Sequence, residues 1–331
     1  MSVNIDLSQK SISVAPMMDL TDRHCRYFLR LFSPKIKLYT EMITANALIF
    51  GDKNRFLNYH PEEHPLAIQL GGSVPKDLAQ CAKFAEERGF CEVNLNVGCP
   101  SDRVQKAKIG ACLMAEPTLV ADCVKAMRDA VSIPITVKTR IGIDDQDSYE
   151  FLADFVDQVK QAGCDTFIIH ARKAWLTGLN PKQNRTIPEL NYETVYRLKR
   201  DFANLHISIN GGFEAIEQIK TSLQYTDGVM IGRAAYYTPY LLAQIDQEIF
   251  NNTALSRLEI LDKLHPYLIA ELTSGTPWVK MARHLMGLFK DQPGARLWRQ
   301  FLSECRGINT ENLLININKI LKLMETSVER P

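Results

Sequence analysis

Residues 134–172, PITVKTRIGIDDQDSYEFLADFVDQVKQAGCDTFIIHAR, hold one full turn of the pattern that organises most of the chain. The apolar run PITVKTR gives way to a Gly/Asp-rich turn. The next stretch, SYEFLADFVDQVKQAG, has helical periodicity and places Gly163 where a C-cap belongs. A second apolar run, TFIIHAR, follows it. Comparable runs occur at SISVAP (11–16), KLYTEM (37–42), LAIQLG (66–71), EVNLNVG (92–98), HISINGG (206–212) and DGVMIGR (227–233), separated by turns and by helix-periodic segments such as PKDLAQCAKFAEERG. Eight strands alternating with helices over about 240 residues predict an α/β fold, a (β/α)8 TIM barrel. A doubly wound sheet is the alternative, but its usual GxGxxG turn is absent and eight regular units favour closure.

The pattern changes near residue 243. The segments LSRLEILDKLHPYLIAEL, TPWVKMARHLMGLF, GARLWRQFLSECRG and NTENLLININKILKLME are helical, with apolar residues at Leu261, Leu264, Leu268 and Leu272. Breaks fall at Ser274–Pro277, Gln292–Gly294 and Gly307–Asn309. The expected organisation is a barrel domain over 1–242 and a C-terminal all-helical bundle domain over 243–331.

Composition narrows the function. A chain of 331 residues that is 46% hydrophobic and 23% charged has ample material for a core. Its formal charge of +1 exerts no global pull on nucleic acid, so an RNA partner must be held by a local patch. The cysteines at 25, 81, 91, 99, 112, 123, 164 and 305 form no CxxC or Cys/His cluster, so no metal is expected. The N-terminal MSVNIDLSQK lacks the apolar centre of a signal peptide, and no apolar run is long enough to span a bilayer. A reducing cytoplasm is the expected location, and a monomer the expected state.

Alternate residues of a barrel strand face the interior, and those at the C-terminal end line the mouth. This parity pairs Val93 and Leu95 against Asn94 and Asn96, and Ile135 and Val137 against Thr136 and Lys138. It likewise sets Phe167 and Ile169 against Ile168 and His170, Ile68 and Leu70 against Ala67 and Gln69, and Ile207 and Ile209 against Ser208 and Asn210. The apolar sets suit contact with outer helices. The other sets bring Gln69, Asn96, Lys138, His170 and Asn210 to one rim, where an unpaired polar group costs several kcal/mol unless a polar ligand satisfies it. Each alone is more often a surface residue; together they point to a site.

The seventh and eighth strands end in Asn210-Gly211-Gly212 and Gly232-Arg233. Glycines admit close approach of backbone N–H groups to an anion, and arginine offers a bidentate fork. Barrels often bind phosphate at those two loops. A single-phosphate cofactor such as FMN fits better than FAD or a tightly held NAD. In NLNVGCPSD (94–102), Gly98 and Pro100 hold Cys99 on an extended corner at a strand end. Such a thiol is either a small hydrophobe under a loop or a reactive group, and no His or Asp adjoins it in sequence.

SVAPMMDLTDRHCRYF, LAIQLGG, NLNVGCPSDRVQ, VKTRIGIDD, HARKAWLTGLNPKQNR, SINGG and GVMIGR closely resemble the tRNA-dihydrouridine synthases, the A-type in particular, over nearly the whole chain. That resemblance implies FMN at the barrel mouth, NADPH as transient reductant, and reduction of uridine to 5,6-dihydrouridine at positions 20 and 20a of the tRNA D-loop. It places Pro16, Met17, Met18 and Gln69 against the flavin, Lys138 and His170 on its polar edge, and Asn210, Gly211, Gly212, Gly232 and Arg233 around its phosphate. Cys99 matches the catalytic proton donor. Asn96, Lys182, Arg185, Arg296 and Arg299 match residues that meet the tRNA. Leu20 departs from the tryptophan usual in the A-type. A thiol suits the acid role, because an ordinary cysteine titrates near about 8.5 and is protonated at neutral pH. The segment from Lys173 to Arg185 lacks periodicity and sets Lys173, Lys182 and Arg185 near Trp175. It reads either as an RNA-facing lid or as an exposed loop with solvated charges.

Overall fold

The computed structural model describes residues 7–304 and 312–326. All eight apolar runs form strands: β1 (Ser11–Val14), β2 (Leu38–Thr44), β3 (Leu66–Gly71), β4 (Glu92–Val97), β5 (Ile135–Arg140), β6 (Thr166–His170), β7 (His206–Asn210) and β8 (Gly228–Ile231). They pair in parallel in the order β1-β8-β7-β6-β5-β4-β3-β2. Lys37, just before β2, brings the free edges together. Its N–H donates to the Ile12 carbonyl at 3.0 Å, and its carbonyl accepts from Val14 N–H at 2.9 Å. The result is a (β/α)8 barrel.

Local sequence explains the crossovers. The helix Tyr149–Gln161 starts at Ser148, whose hydroxyl accepts from Phe151 N–H, and buries Leu152, Phe155, Val156 and Val159 at helical spacing. Its chain leaves through Gly163 at φ +90°, a left-handed position that favours glycine. Along the strands, Ile68, Leu70, Val93, Leu95, Val137, Phe167, Ile169, Ile207 and Ile209 are fully buried. The opposite set meets inside the barrel: Gln69, Asn94 and Thr136 are hydrogen-bonded to one another, and Ala67 and Ile168 share an apolar cluster with Ala15, Tyr39 and Met230.

The chain forms two compact units, and they do not divide at residue 243. One comprises residues 1–19 and 36–232, the other 20–35 and 233–331. Side-chain bonds explain why 20–35 groups with the helical unit. Asp22 caps the helix Arg23–Arg30 by accepting from His24 and Cys25 N–H, and also takes Arg283 Nη2 at 2.6 Å and His284 Nε2 at 3.0 Å. Tyr27 stacks on Tyr267 at 3.8 Å, and Arg23 makes a bidentate ion pair with Glu271. Burial alone would raise the Asp22 carboxyl, but the bonds from His284, Cys25 and Arg283 hold it well below the usual carboxylate range.

Further helices of this unit run over Tyr240–Glu248, Arg257–Thr273, Trp278–Leu285, Ala295–Glu304 and Leu313–Thr326. Tyr240–Glu248 passes through residue 243 without a break, which moves the boundary back to Gly232. The expected breaks at Ser274–Pro277 and Gln292–Gly294 lie between helices. The one at Gly307–Asn309 lies outside the described residues. No helix among the described residues is long and apolar enough to cross a membrane.

Candidate active site

The five strand-end polar residues converge. Register places Asn96 beside Lys138, Arg140 beside His170, and His170 beside Asn210. Asn96 Nδ2 donates to Gln69 Oε1 at 2.8 Å. Lys138 Nζ donates to Asn210 Oδ1 at 3.1 Å, and Asn210 Nδ2 donates to the Met230 carbonyl at 2.7 Å. A strand period of two puts these groups on one face, and parallel register sets Asn96 level with Lys138, His170 level with Asn210, and Gln69 one step below, level with Asn94.

The rim is strongly cationic. Desolvation, reinforced by the Arg140 charge, lowers the Lys138 ammonium to about 7, with Cys99 opposing the shift. Desolvation and the charges of Arg140, Lys138, Arg172 and Arg185 hold the His170 imidazole well below its ordinary value. Arg140 is itself lowered to about 10, chiefly by desolvation. His170 Nδ1 is buried with no hydrogen-bond partner among the described residues. A clustered set of cations beside an orphaned imidazole nitrogen fits an anionic, hydrogen-bonding group such as FMN, and does not fit an apolar one.

Cys99 is held from several sides while remaining half-exposed. Asn96 Oδ1 accepts from Gly98 N–H at 3.1 Å and from Cys99 N–H at 3.0 Å. Arg140 Nε donates to the Gly98 carbonyl at 2.9 Å, and the Cys99 carbonyl accepts from Ala111 N–H at 2.9 Å. The corner is therefore fixed through its backbone, leaving the thiol unencumbered.

The glycine loops differ from one another. Gly211 and Gly212 have φ +121° and +75°, and an added Cβ at Gly212 would meet Leu190 at 2.6 Å. The positive φ favours glycine at both positions, whereas the Leu190 side-chain end could shift. The helix after them begins only at Ile216, so Gly211 and Gly212 lie in a loop and not at a helix end. At Gly232 a Cβ would meet nothing within 4 Å. Arg233 opens the short helix Arg233–Tyr237 and belongs to the helical unit. Pro16 and Met17 are half-buried, Met17 packing on the interior apolar cluster, while Met18 is 56% exposed.

Among the tRNA candidates, Asn96 is on the rim, while Lys182, Arg185, Arg296 and Arg299 are exposed. Arg185 stands close enough for its charge to act on His170 and Arg140. Lys173 is already engaged: it donates to Asp147 in the turn after β5 at 2.7 Å and lies 4.3 Å above the Trp175 ring. The loop has a buried clasp that its sequence did not announce. Asn184 Oδ1 accepts from Trp175 N–H, its Nδ2 donates to the Trp175 and Leu179 carbonyls, and its carbonyl accepts from Arg140 Nη1. Arg140 thus ties this loop to the Cys99 corner. Strand parity carried one step past Lys138 would have found it.

A (β/α)8 barrel with a thiol and a cationic cradle at the C-terminal ends of its strands is built as an enzyme of that class. The family model described as dihydrouridine synthase (Dus) matches residues 13–325. The chain is 60% identical over 296 residues to the tRNA-dihydrouridine(20/20a) synthase of Vibrio parahaemolyticus, covering 88% of this chain and 90% of the relative. To the protein of that name in Escherichia coli (strain K12) it is 61% identical over 295 residues, covering 88% and 85%. To that in Shewanella oneidensis it is 58% identical over 305 residues, covering 92% and 90%. The chain belongs to the dihydrouridine synthase family.

Proposed function

We propose that this protein reduces uridine in the tRNA D-loop to 5,6-dihydrouridine at positions 20 and 20a, with FMN bound at the barrel mouth and NADPH as reductant. The observation that carries the reading is the meeting, on one rim, of the Lys138 ammonium, a partnerless His170 nitrogen and a thiol on a pinned corner. The positions are those for which the related synthases are named. With tRNA as substrate, we take the reaction to occur in the cytoplasm and the protein to act as a monomer.

Pro16, Met17, Met18 and Gln69 would hold the flavin ring, Lys138 and His170 its polar edge, and Asn210, Gly211, Gly212, Gly232 and Arg233 its phosphate. Held there, FMN would supply hydride chemistry toward C6 of uracil, with NADPH as the source of reducing equivalents. Conjugation of C5–C6 with the C4 carbonyl carries the resulting negative charge toward O4. Cys99 then gives its proton to C5, and solvent returns one to sulfur. The sum is uridine, NADPH and one proton giving dihydrouridine and NADP⁺. Lys138 and Arg140 lie within electrostatic reach of the sulfur while it carries charge. Asn96 orients the base, which must leave its stack to reach the site.

Incubating the protein with NADPH and either unmodified tRNA or free uridine tests the assignment. Dihydrouridine in tRNA alone is expected; turnover of free uridine would instead mark a small-molecule pyrimidine reductase. We assign tRNA binding to the helical unit and to Lys182 and Arg185. Lys182→Ala and Arg296→Ala should each flatten the plot of log affinity against log salt by about one unit, since each removes one phosphate contact. An unchanged slope takes that residue out of the interface.

A further inference from the structure

A hydrogen-bonded column crosses the barrel interior from Glu92, the first residue of β4, to the Cys99 corner, and its polarity never reverses. The Glu92 carboxylate is 2% exposed. It accepts from Lys37 Nζ at 2.6 Å, Tyr39 Oη at 2.6 Å and Thr136 Oγ1 at 2.7 Å. Having donated its one proton, Thr136 Oγ1 accepts from Asn94 Nδ2 at 2.8 Å. Asn94 Oδ1 accepts from Gln69 Nε2 at 2.8 Å, and Gln69 Oε1 accepts from Asn96 Nδ2 at 2.8 Å. Asn96 is left presenting Oδ1 to the Gly98 and Cys99 N–H groups.

Both ends of this column have fixed chemistry. A backbone N–H only donates, and a carboxylate only accepts. Burial opposes charge on Lys37, yet Glu92 holds its ammonium above the ordinary value, as an ionised carboxylate does. Between the ends stand the amides of Asn94, Gln69 and Asn96, each of similar shape in either orientation. Reversing one of them sets donor against donor on one side and acceptor against acceptor on the other. Only one arrangement satisfies every link, and the carboxylate at one end and the backbone N–H groups at the other select it together.

We infer that Glu92 and Thr136 are positioning residues for the reaction at Cys99, because they fix the orientation of three successive amides and so the acceptor that anchors the corner. The inference rests on the reading of Cys99 as proton donor. Neither residue touches the reacting atoms. Thr136→Val removes the hydroxyl but preserves the shape, leaving Asn94 Nδ2 buried without that acceptor and the amides held from the Cys99 corner alone.

The test measures two rates in the flavin-loaded enzyme: alkylation of Cys99 by iodoacetamide without tRNA, read by peptide mass spectrometry, and single-turnover dihydrouridine formation by pre-reduced enzyme. Thr136→Val should alkylate faster as the corner loosens, and should form dihydrouridine about tenfold more slowly, in keeping with the cost of misplacing a reacting group by a fraction of an ångström. Thr136→Ser, which keeps the hydroxyl, should return both rates to the wild-type range. Tyr39→Phe removes a donor from Glu92 without entering the column and should match wild type. Wild-type rates in Thr136→Val overturn the inference. Equal slowing in Tyr39→Phe, or failure of Thr136→Ser to rescue, also overturns it by assigning the effect to interior packing. If Thr136→Val does not fold, Glu92→Gln makes the same test, since its amide no longer only accepts. The alkylation rate needs neither tRNA nor proton transfer. A Cys99→Ala enzyme that still reduced tRNA would therefore refute the acid role separately, leaving alkylation to judge the column.

Discussion

Cys99→Ala is expected to stay yellow and to oxidise NADPH, yet to form dihydrouridine in tRNA at least about a hundredfold more slowly than wild type, the low end for a positioned general acid. The separation of the two half-reactions follows from geometry. The thiol sits on a corner whose backbone is fixed by Asn96, Arg140 and Ala111, so its loss disturbs no bond that shapes the cradle. Stopped-flow absorbance of the flavin gives the first half-reaction, and quenched single turnovers on unmodified tRNA give the second. Equal dihydrouridine yields and rates in the variant would show that C5 takes its proton from elsewhere.

Lys138→Met should weaken FMN binding about thirtyfold, equivalent to about 2 kcal/mol, the low end for removing one partner of a desolvated charge pair. A change in proton linkage should accompany it. The free ammonium titrates at about 7, so it is mostly neutral at pH 8. An arriving anion raises that value, and between the two values the loaded state holds the extra proton. Wild-type apoprotein should therefore take up close to one proton per FMN at pH 8, with affinity falling as pH rises through the raised value. Lys138→Met should take up none. Calorimetry in two buffers of different ionisation enthalpy measures the uptake, and equal uptake by both proteins would remove Lys138 from the cradle.

The barrel was legible because its signal is repeated. The strand-to-helix alternation seen in 134–172 recurs with enough regularity to imply closure, and parity then put Gln69, Asn96, Lys138, His170 and Asn210 on one rim. What escaped was tertiary. Residues 20–35 carry no shift in composition, so nothing local tells that Asp22, Arg23 and Tyr27 find their partners at Arg283, Glu271 and Tyr267. Asn184 looks like any loop asparagine until its clasp on Trp175 is seen. Glu92, an acid at the start of an apolar strand, reads as an exposed end; only folding reveals the three donors around it. Exposed cations such as Lys182 and Arg296 form no internal pattern that sequence or fold could single out.

The interleaving of the two units has a consequence during synthesis. The helix Arg23–Arg30 is made well before Tyr267, against which Tyr27 stacks and which is encoded some 240 codons later. At ordinary translation speed the nascent chain waits roughly ten to fifty seconds with that aromatic surface uncovered. A chain halted after Gly232 would never cover it, so messenger truncation there yields a chain that carries an uncovered aromatic segment between its first two strands.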